Sequence, residues 1–201
     1  MIITPERYSK AISPEAYIHL IKEYAESGST SGPNQTESMI HYTRLNAQRM
    51  KRLIKTIEIA APAKASIQSF DTPQTWLILS ETWCGDAANS LPVFFKMAEL
   101  NHNISIRILF RDENLELMDQ FLTNGGRSIP KVIALSETNH VLYHWGPRPS
   151  EAQTMYLSWK NDPNRVPYDE FQITLQKWYN ADAGESIQNE WIELMKKETV
   201  I

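Results

Sequence analysis

The stretch Glu81-Thr-Trp-Cys-Gly-Asp-Ala87 holds the one cysteine among 201 residues, and its neighbourhood sets how the remainder of the chain reads. It follows the apolar run Trp76-Leu-Ile-Leu79, which reads as a buried strand, and it opens a helical stretch over 86–100. A thiol at such a strand-to-helix turn meets unpaired N–H groups and the positive end of the helix dipole. Both stabilise a thiolate and raise its reactive fraction. Asp86, two residues on, acts the other way, because a nearby carboxylate raises a thiol pKa. The sequence leaves the net sign open. Gly85 lets a backbone or a sulfur-bearing partner come close, and Pro92 is expected to kink the helix. One cysteine excludes an intramolecular disulfide and any zinc site of two or more thiolates, and a reducing cytoplasm is the expected compartment.

Around this turn the segment 65–160 alternates in character. Ile104–Phe110, Lys131–Leu135 and Val141–Trp145 read as three more strands, the last two close enough across Ser136–Asn139 to form a hairpin. Helices are expected over 86–100, over Asn114–Leu122 and over 151–160, the last after the breaker Gly146-Pro-Arg-Pro-Ser150. The order β-α-β-α-β-β-α describes an α/β fold, a mixed sheet with helices on its faces. Both flanks read as helical. Ser13-Pro14-Glu15 is a start signal, with Tyr17, Leu20, Ile21 and Tyr24 on one face behind it. Gly28–Asn34 has the composition of a linker, and Thr36 caps a longer helix striped by Met39, Tyr42, Leu45, Met50, Leu53, Ile54 and Ile57. After the loop 161–167, one helix is marked by Phe171, Leu175 and Trp178, another by Ile187, Trp191, Ile192 and Met195. The expected organisation is a helical extension over 1–61, a core domain over 62–160, and a helical extension over 161–201 packed on the same domain.

Trp83-Cys84-Gly85-Asp86-Ala87, together with Pro92, resembles the Trp-Cys-Gly-Pro-Cys active site of the thioredoxin family. Gly126-Arg-Ser-Ile-Pro130, followed by a strand, resembles that family's segment with a cis Ile-Pro bond, and Gly146 after the last strand is a third match. The order of elements agrees as well. The resemblance spans about half the chain and implies a thioredoxin-like fold with N- and C-terminal helical additions. The chain also resembles a subgroup of extended bacterial thioredoxin-like proteins carrying Trp-Cys-Gly-Asp-Ala and Trp-Gly-Pro-Arg-Pro. By this resemblance Cys84 is the nucleophile, Trp83, Gly85, Asp86 and Ala87 are its setting, and Pro130 faces the sulfur. The backbone of Ile129 would then pair with an extended peptide or a thiol tripeptide. Two departures bear on mechanism. Ala87 stands where the family has its resolving cysteine, and Ile78 stands where the family buries an aspartate, with Glu81 nearby in a different register. In the family that aspartate takes the proton of the resolving cysteine, so both losses remove the same half of the reaction.

What remains is the first half. A lone thiolate can attack a disulfide but needs an external thiol, such as glutathione, for release. The expected function is therefore monothiol thiol–disulfide oxidoreduction. The substrates would be protein disulfides or small-thiol mixed disulfides, with no cofactor beyond a low-molecular-weight thiol as co-substrate. A redox-inactive protein-binding or chaperone-like module is the alternative, and an iron–sulfur cluster held by Cys84 across a dimer is a third reading. Arg127 has two readings, a bidentate contact to a substrate carboxylate or a solvated loop arginine. Arg111-Asp112-Glu113 either lines the mouth of the site or caps the next helix. Arg148 either meets an anion from its stiff loop or simply ends the hairpin. Net charge is −4, so no global basic field invites nucleic acid. Arg44, Arg49, Lys51, Arg52 and Lys55 read as a solvated helix face. Mean hydropathy is −0.42, no run reaches the length of a membrane span, and no secretory signal pattern opens the sequence. The five histidines lack metal-ligand spacing, and Asn124-Gly-Gly reads as a turn.

Overall fold

A computed structural model describes residues 4–198; the readings of residues 1–3 and 199–201 as parts of the helical flanks lie outside them. The chain begins with helices α1 (Pro5–Lys10), α2 (Pro14–Ser27), α3 (Glu37–Thr56) and α4 (Ala61–Gln68). The core then runs β1 (Gln74–Ser80), α5 (Gly85–Ala98), β2 (Ile104–Phe110), α6 (Leu115–Met118), β3 (Lys131–Ser136) and β4 (Val141–Trp145). It closes with α7 (Ser150–Asn161), α8 (Tyr168–Asp182) and α9 (Glu185–Glu198). The four strands form one mixed sheet in the order β2-β1-β3-β4, with β1 parallel to β2 and the other neighbours antiparallel. Trp76, Leu77, Ile78 and Leu79 are fully buried, which explains why β1 is a continuous apolar run rather than an alternating one. A central strand covered on both faces has no solvent side to mark.

Ser13 and Thr36 cap α2 and α3 as their sequence signals indicate, accepting from the N–H groups of Ala16 at 3.2 Å and Met39 at 3.3 Å. The boundary expected at 61/62 falls on the first turn of α4, where Pro62 sits at the start of the helix. The helix expected over 114–122 is shorter: a 3-10 turn over Arg111–Glu113 leads into the single turn of α6. Beyond α6 the chain is held as a tight turn. Thr123 and Gly126 exchange N–H to C=O bonds across Asn124 and Gly125, both at positive φ, and Thr123 Oγ1 accepts from the buried Lys131 Nζ at 2.8 Å. α5 runs unbroken through Pro92.

The stretch Gly28–Asn34, a linker by composition, is in part a buried strap. Thr30 and Ser31 are enclosed with Thr43, Thr82 and Glu81 in a network of hydroxyls. Ser31 N–H donates to Thr82 Oγ1 at 3.0 Å, Thr82 N–H donates to Ser31 Oγ at 2.9 Å, and Ser31 Oγ donates to the Glu81 carboxylate. Tyr17 Oη donates to the Glu81 carbonyl at 3.1 Å, and Asn46 Nδ2 donates to the Thr82 carbonyl at 3.0 Å. The N-terminal helices are thus fastened to the loop that precedes Cys84. At the other end α9 belongs to the main core: Trp191 is fully buried, its ring 5.0 Å from Trp76 and 5.1 Å from Phe94. α7 and α8 instead share a small separate cluster of Ala152, Phe171, Leu175 and Tyr179, with Trp159 stacked on Phe171 at 4.8 Å. Trp178, read from spacing as part of the apolar face of α8, packs half-buried against this cluster, and Tyr179 beside it is the more deeply buried of the two.

The turn behind the site depends on Gly146. Its φ is +108°, and a Cβ placed there would lie 2.3 Å from the carbonyl oxygen of Pro130. The Ile129–Pro130 bond is cis as the resemblance implies, and so is Gly146–Pro147. Gly125 also has positive φ, yet a Cβ there meets nothing within 4 Å. We therefore expect Gly146→Ala to lower unfolding free energy by about 3 kcal/mol or more, against about 1 kcal/mol for Gly125→Ala, in urea titrations. Equal losses at the two positions would show that the packing of Gly146 on Pro130 carries no weight.

Candidate active site

Cys84 is the N-cap of α5, and its side chain does the work usually done there by a hydroxyl or carboxylate. Sγ accepts from the Ala87 N–H at 3.4 Å and donates to the Ile129 carbonyl at 3.3 Å. The second bond requires the protonated thiol. Only 7% of Cys84 is exposed. Burial, then the Asp86 carboxylate, push its pKa up to about 12, against opposing contributions from the Ala87 N–H and Arg148. The sign left open by the sequence is thereby resolved: desolvation and Asp86 outweigh the helix terminus, and the resting thiol is protonated.

The two substituted positions are apolar. Ala87 is core, and Ile78 is enclosed on β1. Glu81 does not replace the missing aspartate. It is fully buried, accepts from the Asp112 N–H at 2.8 Å and from Ser31, and so ties the strap to the turn after β2. Burial raises its pKa.

Asp86 is the centre of a second cluster. Arg148 Nη2 pairs with Asp86 Oδ2 at 2.6 Å, both side chains nine-tenths buried, and Tyr179 Oη donates to Asp86 Oδ1 at 2.9 Å. Arg148 Nη1 donates to Gln153 at 3.1 Å, and the guanidinium lies 4.3 Å from the centre of the Tyr156 ring. Burial raises the Asp86 pKa, with Arg148 the largest opposing influence. Of the two readings of Arg148, the structure selects the one in which it meets an anion, and that anion is Asp86.

These residues open onto a cleft of about 450 Å³. Trp83, Cys84, Gly85, Asp86, Arg127 and Ile129, all expected at the site, line it together, while Ala87 and Pro130 stand behind it. Arg111 lines it too, its guanidinium 5.0 Å from the centre of the Trp83 ring. Ser128 and Arg148 line it as well, and the flanks add Tyr42 of α3 and Tyr168 and Gln172 of α8. Spacing had placed Tyr42 in an apolar stripe and gave no sign of the other two. Arg127 is not poised for a substrate carboxylate, because its Nε and Nη2 already hold Asp119 at 2.6 and 2.8 Å. Arg111 is similarly engaged by Asp112 at 2.6 Å. No group of three His, Cys, Asp or Glu suited to a metal occurs among the described residues, and none of their helices is long and apolar enough to cross a membrane.

Because the Asp86 carboxylate raises the Cys84 pKa and Arg148 lowers it, Asp86→Asn shifts the balance toward thiolate. The variant should be alkylated by iodoacetamide at about pH 8 faster than wild type, by about threefold for each pKa unit lost, since a tenfold gain in thiolate is offset by about threefold lower nucleophilicity. Leaving Arg148 buried without its partner costs about 3 kcal/mol, so retention of native circular dichroism is checked alongside. An unchanged or slower rate in the folded variant contradicts this account of the thiol.

The comparisons with known proteins agree with this geometry. Two crystal structures share the fold. A protein of unknown function from Pseudomonas aeruginosa matches at TM-score 0.64 and 15% identity, over 97% of this chain and 98% of that one. An HIV epitope-scaffold matches at TM-score 0.57 and 15% identity, over 92% of this chain and 99% of that one. No curated protein matches. A thioredoxin family model matches residues 32–162, from the buried strap through the end of α7 and with the whole of the cysteine turn inside it. The chain belongs to the thioredoxin family.

Proposed function

We propose that the protein carries out thiol–disulfide exchange through Cys84 alone, slowly with disulfides at large and selectively with those that enter the cleft. The observation that supports this is the placement of Sγ between the first N–H groups of α5 and the Ile129 carbonyl, on the wall of a cleft. In the first step the Cys84 thiolate attacks one sulfur of RS–SR′, forming Cys84–S–S–R and releasing R′S⁻, which takes up the proton Cys84 has lost. An external thiol R″SH then attacks the R sulfur, forming R–S–S–R″ and returning Cys84 to the thiol. Ala87 offers no internal thiol for that release. We place the cycle in a reducing compartment, where such thiols are abundant.

The raised pKa sets the pace. Compared with a free thiol of pKa about 8.5, a thiol at about 12 loses over three orders of magnitude in thiolate. It regains about half of that logarithm in nucleophilicity, leaving exchange about a hundredfold slower at neutral pH. The same burial favours a second reading, a redox-inactive binding module in which the thiol is a packing and capping group.

Turnover of a small mixed disulfide with excess thiol separates the two. The exchange reading expects a rate that climbs steeply between about pH 7 and 9 and vanishes in Cys84→Ser, with a mixed-disulfide adduct on Cys84 seen by mass spectrometry. Absence of adduct on the folded protein after hours at about pH 9, while the denatured protein reacts, rejects exchange and leaves the binding module.

A further inference from the structure

The cleft at Cys84 adjoins a second one of about 660 Å³ between α3 and α8, with Tyr42 and Gln172 lining both. Each is within the size range of small-molecule sites. The approach to Cys84 is thus bordered on one side by α3 and α8, two helices of the flanking extensions. That geometry suits a small disulfide better than a loop of a folded protein.

The charges along this path are uneven. Arg111, Arg127 and Arg148 each hold an aspartate. Arg49 of α3, which lines the second cleft, makes no salt bridge among the described residues. It is half-buried and fixed in place: Nη1 donates to Asn46 Oδ1 at 3.1 Å, and Asn46 is itself bonded to the Thr82 carbonyl of the site loop. The same Nη1 is 3.6 Å from the position a Cβ on Gly85 would take, so the guanidinium stands over the residue that follows Cys84. Two acids, Glu37 and Asp169, and a second cation, the exposed Lys177, share the second cleft; Asp169 accepts from Tyr42 Oη at 3.3 Å, and neither acid lies within salt-bridge reach of Arg49. The unpartnered buried atoms of the first cleft's residues are donors as well, Trp83 Nε1 and Arg148 Nε, the second on a side chain nine-tenths buried. No buried acceptor on those residues lacks a partner. A cleft that places a fixed guanidinium beside the turn carrying Cys84 is complementary to an anionic ligand.

We infer that Arg49 recognises a carboxylate on the substrate, and that the cleft takes low-molecular-weight disulfides and thiols that carry one. The chemistry rests on the exchange proposed above; the recognition does not. The chain's net charge of −4 repels anions in general, so a preference for them has to come from the site.

Three small disulfides that differ in charge test this: 3,3′-dithiodipropionate, bis(2-hydroxyethyl) disulfide and cystamine. With wild type, adduct formation on Cys84 is expected to be at least about tenfold faster for the anionic than for the neutral compound, and slowest for the cationic one. Arg49→Gln should bring the anionic-to-neutral ratio toward one, and Arg49→Lys should restore part of it. Binding of dithiodipropionate to Cys84→Ser by calorimetry, lost on adding Arg49→Gln, supports the recognition even where exchange fails. Exchange at equal rates with all three compounds leaves the proposed function standing and overturns the inference. A preference for the anion that survives Arg49→Gln also overturns it, because the recognition then lies elsewhere.

Discussion

The ion pair between Asp86 and Arg148 holds the site together. It joins the first turn of α5 to the loop between β4 and α7, and through Tyr179 it reaches α8. Two charges nine-tenths buried are costly to desolvate, and such a pair persists only where the remaining donors and acceptors are met. Tyr179 and Gln153 supply partners on either side of it. A carboxylate fixed this close to Cys84 also makes the thiolate harder to form. One contact thus fastens α8 and the β4–α7 loop to the site, and its carboxylate adds to the burial that keeps the thiol protonated.

The extensions are parts of the site rather than appendages to it. α3 brings Tyr42 and Arg49, α8 brings Tyr168 and Gln172, and α9 fills the core with Trp191. The hydroxyl network of Thr30, Ser31, Thr43 and Thr82 fixes the N-terminal helices to the segment leading into Cys84. α7 and α8 have their own apolar cluster, and polar contacts with α5 fasten them: Gln176 with Asn89, and Tyr179 with Asp86.

The four strands, the capped helices and the position of Cys84 were legible in the sequence because each depends on neighbours a few residues away. Partners distant in sequence were not. Arg148 carries no local sign that Asp86 is its counter-ion, and Arg127 carries none that Asp119 occupies its fork. Gly28–Asn34 looks like solvated chain because its residues are small and polar, yet two of its hydroxyl residues are buried where others meet them. Spacing gave α8 its helix and its apolar face, but not Tyr179, whose hydroxyl is buried only because Asp86 meets it. The balance of forces on the thiol was out of reach altogether, because desolvation depends on what covers Cys84.

Titration of Cys84 in the folded wild-type protein, followed through the ultraviolet absorbance of its thiolate, addresses this balance. With burial and Asp86 in control, the absorbance should stay flat through neutral pH and begin to rise only above about pH 10, toward the value of about 12. A midpoint at or below the free-thiol value of about 8.5 would contradict the account, since the helix terminus would then outweigh both.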